Sequence, residues 1–218
     1  MTDVRDRYNK IFVEGSNTER LVFFSDAVFA IALTLLVIDL KVPPMDGTMS
    51  AWEVIASQWQ GYFAYALSFT IISINWVAHH RKFRVIKKHD GGLMLLDLAL
   101  LFFVAFVPFP TSLLSEYSPE PAAVVLYAFV VGILSALQYA VWSYAWRKGL
   151  VDKDVDIELY RFTRRNQWAT TIVFWATIPV ALFIGGDVAM WCWFALFPVN
   201  AAVGWYSNRP SRSPDSAS

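Results

Sequence analysis

Two short stretches carry most of the polar chemistry of this sequence. Arg20 is followed by Phe24, Ser25 and Asp26 in RLVFFSDAV; Asn75, Trp76, His79 and His80 run together in NWVAHHR; and Asp97 stands alone in LLDLALL. Carboxylates, imidazoles and a hydroxyl can bind cations, pass protons or ligate a metal, and they can also do no more than hydrogen-bond one helix to the next. Ser25 and Asp26 are adjacent, so on a helix their side chains diverge by about 100° and make no catalytic triad. His79 and His80 diverge in the same way, and with no cysteine near them a metal or haem centre is disfavoured. A glycine-rich phosphate loop and an H-E-x-x-H pair are both absent. These residues do not read as an enzyme's, and neither a cofactor nor a resident metal is expected.

The elements that must position them follow from composition. Of 218 residues 56% are hydrophobic, with ten Trp and seventeen Phe, which is too apolar for a water-soluble domain of this size. A helix needs about 20 apolar residues to cross roughly 30 Å of hydrocarbon. Six stretches qualify, near 20–40, 58–80, 93–115, 121–146, 167–186 and 188–206. The sequence therefore predicts an all-α, multi-pass integral membrane protein, with one six-helix domain over 1–207 and a disordered polar tail over 208–218. The first span follows a segment of mixed charge without a small-residue cleavage site, so it is expected to be retained and not removed as a signal peptide. Ser16 with Glu19 and Ser50 with Glu53 have capping-box spacing. Pro43-Pro44 should end the first span, and Pro108 and Pro110 should bend the third. The only cysteine, Cys192, leaves no intrachain disulfide to form and reads as a packed residue.

Basic residues fix the expected orientation. Lys and Arg cluster before span one (Arg5 to Arg20), after span two (Arg81 to Lys88), between spans four and five (Arg147 to Arg165) and at the end of the chain (Arg209 and Arg212), while the other loops hold only Lys41. Cytoplasmic loops accumulate such residues, and six spans with both termini in the cytoplasm satisfy every cluster. The formal net charge of zero hides this asymmetry. The expected partner is the bilayer of a cell membrane, with no nucleic acid needed to explain the basic loops.

Helical periodicity then orients the first span. At about 100° per residue, Phe24, Ala27, Ile31, Thr34, Leu35 and Ile38 form one stripe, with Ser25 and Asp26 some 120–140° to either side of Ile31. An ionisable group at the bilayer centre costs about 2.5–3.5 kcal/mol on insertion scales, so Ser25 and Asp26 should face other helices. Span two leaves the membrane through Asn75, Trp76, His79 and His80, and span three enters it and meets Asp97 after about one turn. All of these residues can share one cytoplasmic-side layer.

The motif R-x-x-x-F-S-D, from Arg20 through Phe24, Ser25 and Asp26, resembles the signature of the transmembrane protein 175 family, the endosomal and lysosomal potassium channels and their prokaryotic homologues. FSDAVFAIALTLLVIDLKVP, W-x-x-H-H-R from Trp76 and F-x-P-F-P-T around Pro108 to Thr111 are similar as well, and the resemblance covers nearly all six spans. Asp97 departs from it, at a place where asparagine is expected. The resemblance implies a single-repeat prokaryotic homologue that assembles as a homotetramer, conducts K⁺ passively and also passes protons. It further implies a pore lined by the first helix, with a constriction at Ile31 and further layers at Thr34, Leu35 and Ile38. Arg20, Phe24, Ser25 and Asp26, with Asn75, Trp76, His79, His80 and Asp97, would be the network that holds this helix. No T-V-G-Y-G filter is present. Rings of Ile can gate by dewetting and rings of Thr hydroxyl can replace part of an ion's water, although both residue types also serve ordinary packing. Two other readings stay open: a proton-coupled transporter protonated at Asp26 and the histidines, and a membrane enzyme or cofactor-binding subunit that uses His79 and His80.

Overall fold

In hydrocarbon a backbone N–H or C=O group has no water to bond to, so a spanning segment must satisfy its own backbone. The computed structural model describes residues 18–41 and 50–194, and these are helical almost throughout. Helix α1 (Glu19–Leu35) runs on into a 3-10 turn at Leu36–Asp39. It is followed by α2 (Ala51–Ser57), α3 (Trp59–Val85), α4 (Gly91–Phe106), α5 (Pro108–Tyr117), α6 (Pro121–Arg147), α7 (Ile157–Phe183) and α8 (Gly186–Phe194).

Among the described residues four stretches are long and apolar enough to cross a bilayer: Glu19–Ile38, Trp59–Val85, Gly91–Tyr117 and Pro121–Arg147. They coincide with the first four expected spans. The fifth overlaps the second half of α7 and runs three residues past its end at Phe183; the shorter apolar part of α7 is Thr170–Phe183. Of the sixth, only α8 is described. The rest of that span, the 208–218 tail, the first seventeen residues and Pro43-Pro44 lie outside the described residues.

Several ends differ from the sequence expectation. Ser16 of the first expected capping box lies outside the described residues, which begin at Thr18, the residue before α1. The box at Ser50 and Glu53 does form, but it opens the short helix α2, and α3 starts after it at Trp59. There the Ser50 backbone N–H and hydroxyl hold the Glu53 carboxyl below its usual range. Helix α3 continues to Val85 because the charged run after His80 is still good helix former, with its cations at the favourable C-terminal end. The third span breaks at Val107, between α4 and α5, since Pro108 brings no N–H for the Val104 carbonyl.

Packing is centred on α6, which is buried on most of its faces. Phe29 and Ala32 of α1 and Leu36 of the 3-10 turn pack with Ile72, Leu100 and Val104 of α3 and α4. Tyr127 of α6 gathers Phe174 of α7 and Trp193 of α8; Cys192 is half-buried and free. At the basic end of the bundle α6 stops in a Schellman motif: Gly149 takes φ +65, its N–H donates to Trp146 O over 3.1 Å, and Leu150 N–H donates to Ala145 O over 3.0 Å. That turn delivers Leu150 O to Lys87 N–H at 3.0 Å and Asp152 N–H to Val85 O at 2.8 Å. An isolated antiparallel bridge joins Ile86 to Val151, and Lys87 pairs with Asp152 at 3.6 Å. Two basic loops are thus clasped to each other at one end.

The start of α8 is set by close backbone approach, because a Cβ at Gly186 would lie 2.0 Å from the Pro119 carbonyl oxygen. A main-chain carbonyl cannot rotate away as a side chain can. Gly186→Ala should therefore cost about 1–3 kcal/mol, read as a lower thermal unfolding temperature of the purified protein in detergent. Parental stability would show that this contact relaxes freely.

Candidate functional site

Helix α1 has two distinct faces. Ser25, Phe29, Ala32 and Leu36 point into the protein and are buried. On the other side Phe24, Ala27, Ile31, Thr34, Leu35 and Ile38 are all exposed, Ile31 by 58% and Ile38 by 69%. The Thr34 hydroxyl donates to the Ile31 carbonyl over 2.8 Å. Its proton is therefore engaged within the helix, and its oxygen lone pairs remain available to a cation or to water.

On the inner face three helices meet at Asp97. His79 Nε2 of α3 lies 2.8 Å from Asp97 Oδ1, and Ser25 Oγ of α1 lies 2.8 Å from Asp97 Oδ2. Ser25, His79 and Asp97 are each 0% exposed. The His79 ring stacks on Phe83, with centroids 4.3 Å apart, and lies tilted against Phe29 at 5.5 Å. Asp26 belongs to a second, more open contact, in which Trp76 Nε1–H donates to Asp26 Oδ1 over 2.8 Å and the Trp76 ring leans on His80. Asp26 and His80 line a groove of about 520 Å³ between the start of α1 and the end of α3, together with Glu19, Arg84 and Lys87.

The structure leaves three of the sequence candidates out of this cluster. The Asn75 amide donates to the Ile71 carbonyl of its own helix over 2.9 Å, which satisfies it locally without a partner on α1 or α4. Arg20 and Phe24 are exposed; Phe24 lies on the outer stripe. Conversely, the sequence reading missed a buried pair. Lys82 Nζ donates to Gln138 Oε1 over 2.6 Å and to Gln138 O over 3.0 Å, and Gln138 Nε2 donates to the Asn75 carbonyl over 2.9 Å. Placing the end of span two at residue 80 made Lys82 look like a loop cation. Its spacing of three from His79, which puts both on one face of α3, was the available signal. A further knot nearer the other end joins Ser68 to Thr111 at 2.8 Å and to Tyr127 at 3.0 Å.

Comparison with known proteins gives this arrangement a context. The family model described as endosomal/lysosomal potassium channel TMEM175 matches residues 20–108. A Streptomyces collinus protein named as a potassium channel is 37% identical over 192 residues, which is 83% of this chain and 93% of that protein. The chain belongs to the TMEM175 family. A potassium channel of Chamaesiphon minutus is 40% identical over 136 residues, 62% of this chain and 66% of its own length. The crystal structure of a lysosomal potassium-selective channel TMEM175 homologue from Chamaesiphon minutus superposes with a TM-score of 0.76 at 28% identity, over 89% of this chain and all of that one. Membership of the TMEM175 family, a family of channels, together with four membrane-capable stretches among the described residues, makes this a multi-pass membrane protein. The TMEM175 match takes in every residue of the Asp97 and Asp26 contacts and ends before Gln138.

The two contacts should differ in weight. His79→Leu leaves a fully buried Asp97 oxygen without its hydrogen-bond partner, at about 1–3 kcal/mol. Trp76→Phe removes the donor to Asp26 beside an open groove, where water can replace it, at about 0.5–1.5 kcal/mol. Thermal unfolding of the two variants in detergent should rank His79→Leu as the less stable; the reverse order would place the heavier demand at Asp26.

Proposed function

We propose that this protein conducts K⁺ passively across a cell membrane through a pore formed by α1 helices of four identical copies, each with six spans and both termini in the cytoplasm. The observation that carries this reading is the outer face of α1. Ile31, Thr34, Leu35 and Ile38 are exposed along one stripe, while the opposite face of the same helix is anchored to α3 and α4. One helix cannot enclose a water path, but four around a symmetry axis can. The relatives named as potassium channels and the relative solved as a potassium-selective channel homologue support the ion assigned to it. The clasp between the loops after α3 and after α6 supports the even topology, because it holds together two basic segments that the charge rule puts on one side.

In this reading Ile31 forms the narrowest ring and excludes water when the pore is closed. The Thr34 ring, its hydroxyl protons turned back to the Ile31 carbonyls, offers oxygen lone pairs that replace part of the ion's hydration shell. Leu35 and Ile38 continue the apolar wall. Ser25, Asp26, Trp76, His79, His80 and Asp97 hold the helix in register and do not touch the ion.

Reconstitution into liposomes with an imposed K⁺ gradient tests this directly. The parent should pass K⁺ without saturation and without coupling to a proton gradient. Replacing Ile31 by Asn removes a side chain whose apolar surface is worth about 1.5–3 kcal/mol from the constriction, so flux should rise by about tenfold or more with poorer discrimination between K⁺ and Na⁺. Unchanged flux and selectivity in an assembled Ile31→Asn protein would place the pore elsewhere.

A further inference from the structure

We propose that Asp97 is present as the neutral carboxylic acid, with its proton on Oδ2, donating to Ser25 and accepting from His79. Ser25 Oγ has one proton and two oxygen neighbours, Leu21 O at 2.9 Å and Asp97 Oδ2 at 2.8 Å. A main-chain carbonyl can only accept, and the back-bond from a helical serine to the carbonyl four residues earlier claims that proton. An ionised Asp97 can also only accept. Two acceptors would then share one proton, and one short O···O contact would contain no hydrogen. A proton on Oδ2 fills both contacts as a chain, Asp97 O–H to Ser25 Oγ and Ser25 O–H to Leu21 O.

The other oxygen leads to the same protonation state. His79 Nε2 faces Asp97 Oδ1, while His79 Nδ1 is buried with no partner among the described residues. An under-satisfied acceptor is better tolerated in an interior than an orphaned N–H, so the imidazole proton sits on Nε2 and donates to Oδ1. An imidazolium would bury an unpaired N–H between Phe29 and Phe83. His79 is therefore neutral and supplies no counter-charge to a carboxylate that has no exposed surface. Of the remaining groups near this layer, His80 leans on Trp76 with its Nδ1 unpartnered among the described residues, and two others are engaged. Asp26 of α1 accepts from Trp76, and the buried Lys82 of α3 donates to Gln138 of α6. Asp97 thus acts as a positioning residue with the donor-and-acceptor pattern of an amide, and it fixes Ser25 and the first turns of α1. The inference holds whether or not α1 lines a pore.

Full-length protein in lipid tests it by infrared spectroscopy and thermal unfolding. The parent should show a protonated-carboxyl C=O band that shifts when aspartate is ¹³C-labelled. The band should be lost in Asp97→Asn and should move to higher frequency in Ser25→Ala, which removes the hydrogen bond from the acid. Asp97→Asn, which supplies N–H and C=O in the same places, should unfold at the parental temperature, and Asp97→Ala several degrees lower. The proposal is overturned if no such band is lost in Asp97→Asn. It is equally overturned if Asp97→Asn is as unstable as Asp97→Ala and regains parental stability when Lys82→Met is added, because that rescue identifies an ionised Asp97 balanced by Lys82.

Discussion

Inside a bilayer an apolar side chain gains little by choosing protein over lipid, because the lipid tails are as apolar as leucine. A polar atom has no such freedom, and the contact of Ser25, His79 and Asp97 is where three helices meet that requirement together. The azimuth of α1 depends on it. With Ser25 turned inward, Phe29, Ala32 and Leu36 follow at helical spacing and pack on α3 and α4, and Ile31, Thr34, Leu35 and Ile38 are necessarily presented on the other side. The exposed stripe is thus a geometric result of where one hydroxyl finds its partners.

The same constraint explains how the polar side chains are distributed along the bundle. Lys82 and Gln138 satisfy each other between α3 and α6 at the basic end, and Ser68, Thr111 and Tyr127 do so further along. Between these knots α6 contributes small and β-branched residues, Ala128, Val130 and Val131, that let its neighbours approach closely. Each knot ties a different pair or triplet of helices, so together they specify mutual rotation as well as proximity.

Much of this was legible in the sequence because it rests on periodicity. Periodicity at 100° per residue picks out Phe24, Ala27, Ile31, Thr34, Leu35 and Ile38, which are exposed, but it does not pick out Phe23, Ala30 and Val37, which are exposed as well; the meeting of Ser25, His79 and Asp97 follows from antiparallel spans that bring the three residues to one depth. What was not legible depends on competition between local and distant partners. Asn75 shares a face with His79, yet its amide is satisfied by the Ile71 carbonyl. Gln138 sits alone in a long apolar stretch with no pattern to announce its partner. Helix limits failed where charge and helix propensity disagree: α3 carries Lys82 and Arg84 inside its last turn, and α7 begins at Ile157, ahead of its apolar part. The capping box at Ser50 was read correctly as a helix start, but nothing in its spacing shows that the helix it opens ends at Ser57.

The contact between Ser25 and Asp97 joins residues 72 positions apart, and that separation sets an order of events while the chain is made. At about 5–20 residues per second, Asp97 leaves the ribosome roughly 4–14 s after Ser25. Trp76, the partner of Asp26, follows 50 positions behind it. The first helix therefore reaches the membrane while Ser25 and Asp26 still lack their partners on α4 and α3. Its apolar length alone must keep it there, and its rotation about its own axis is decided only when the later helices arrive.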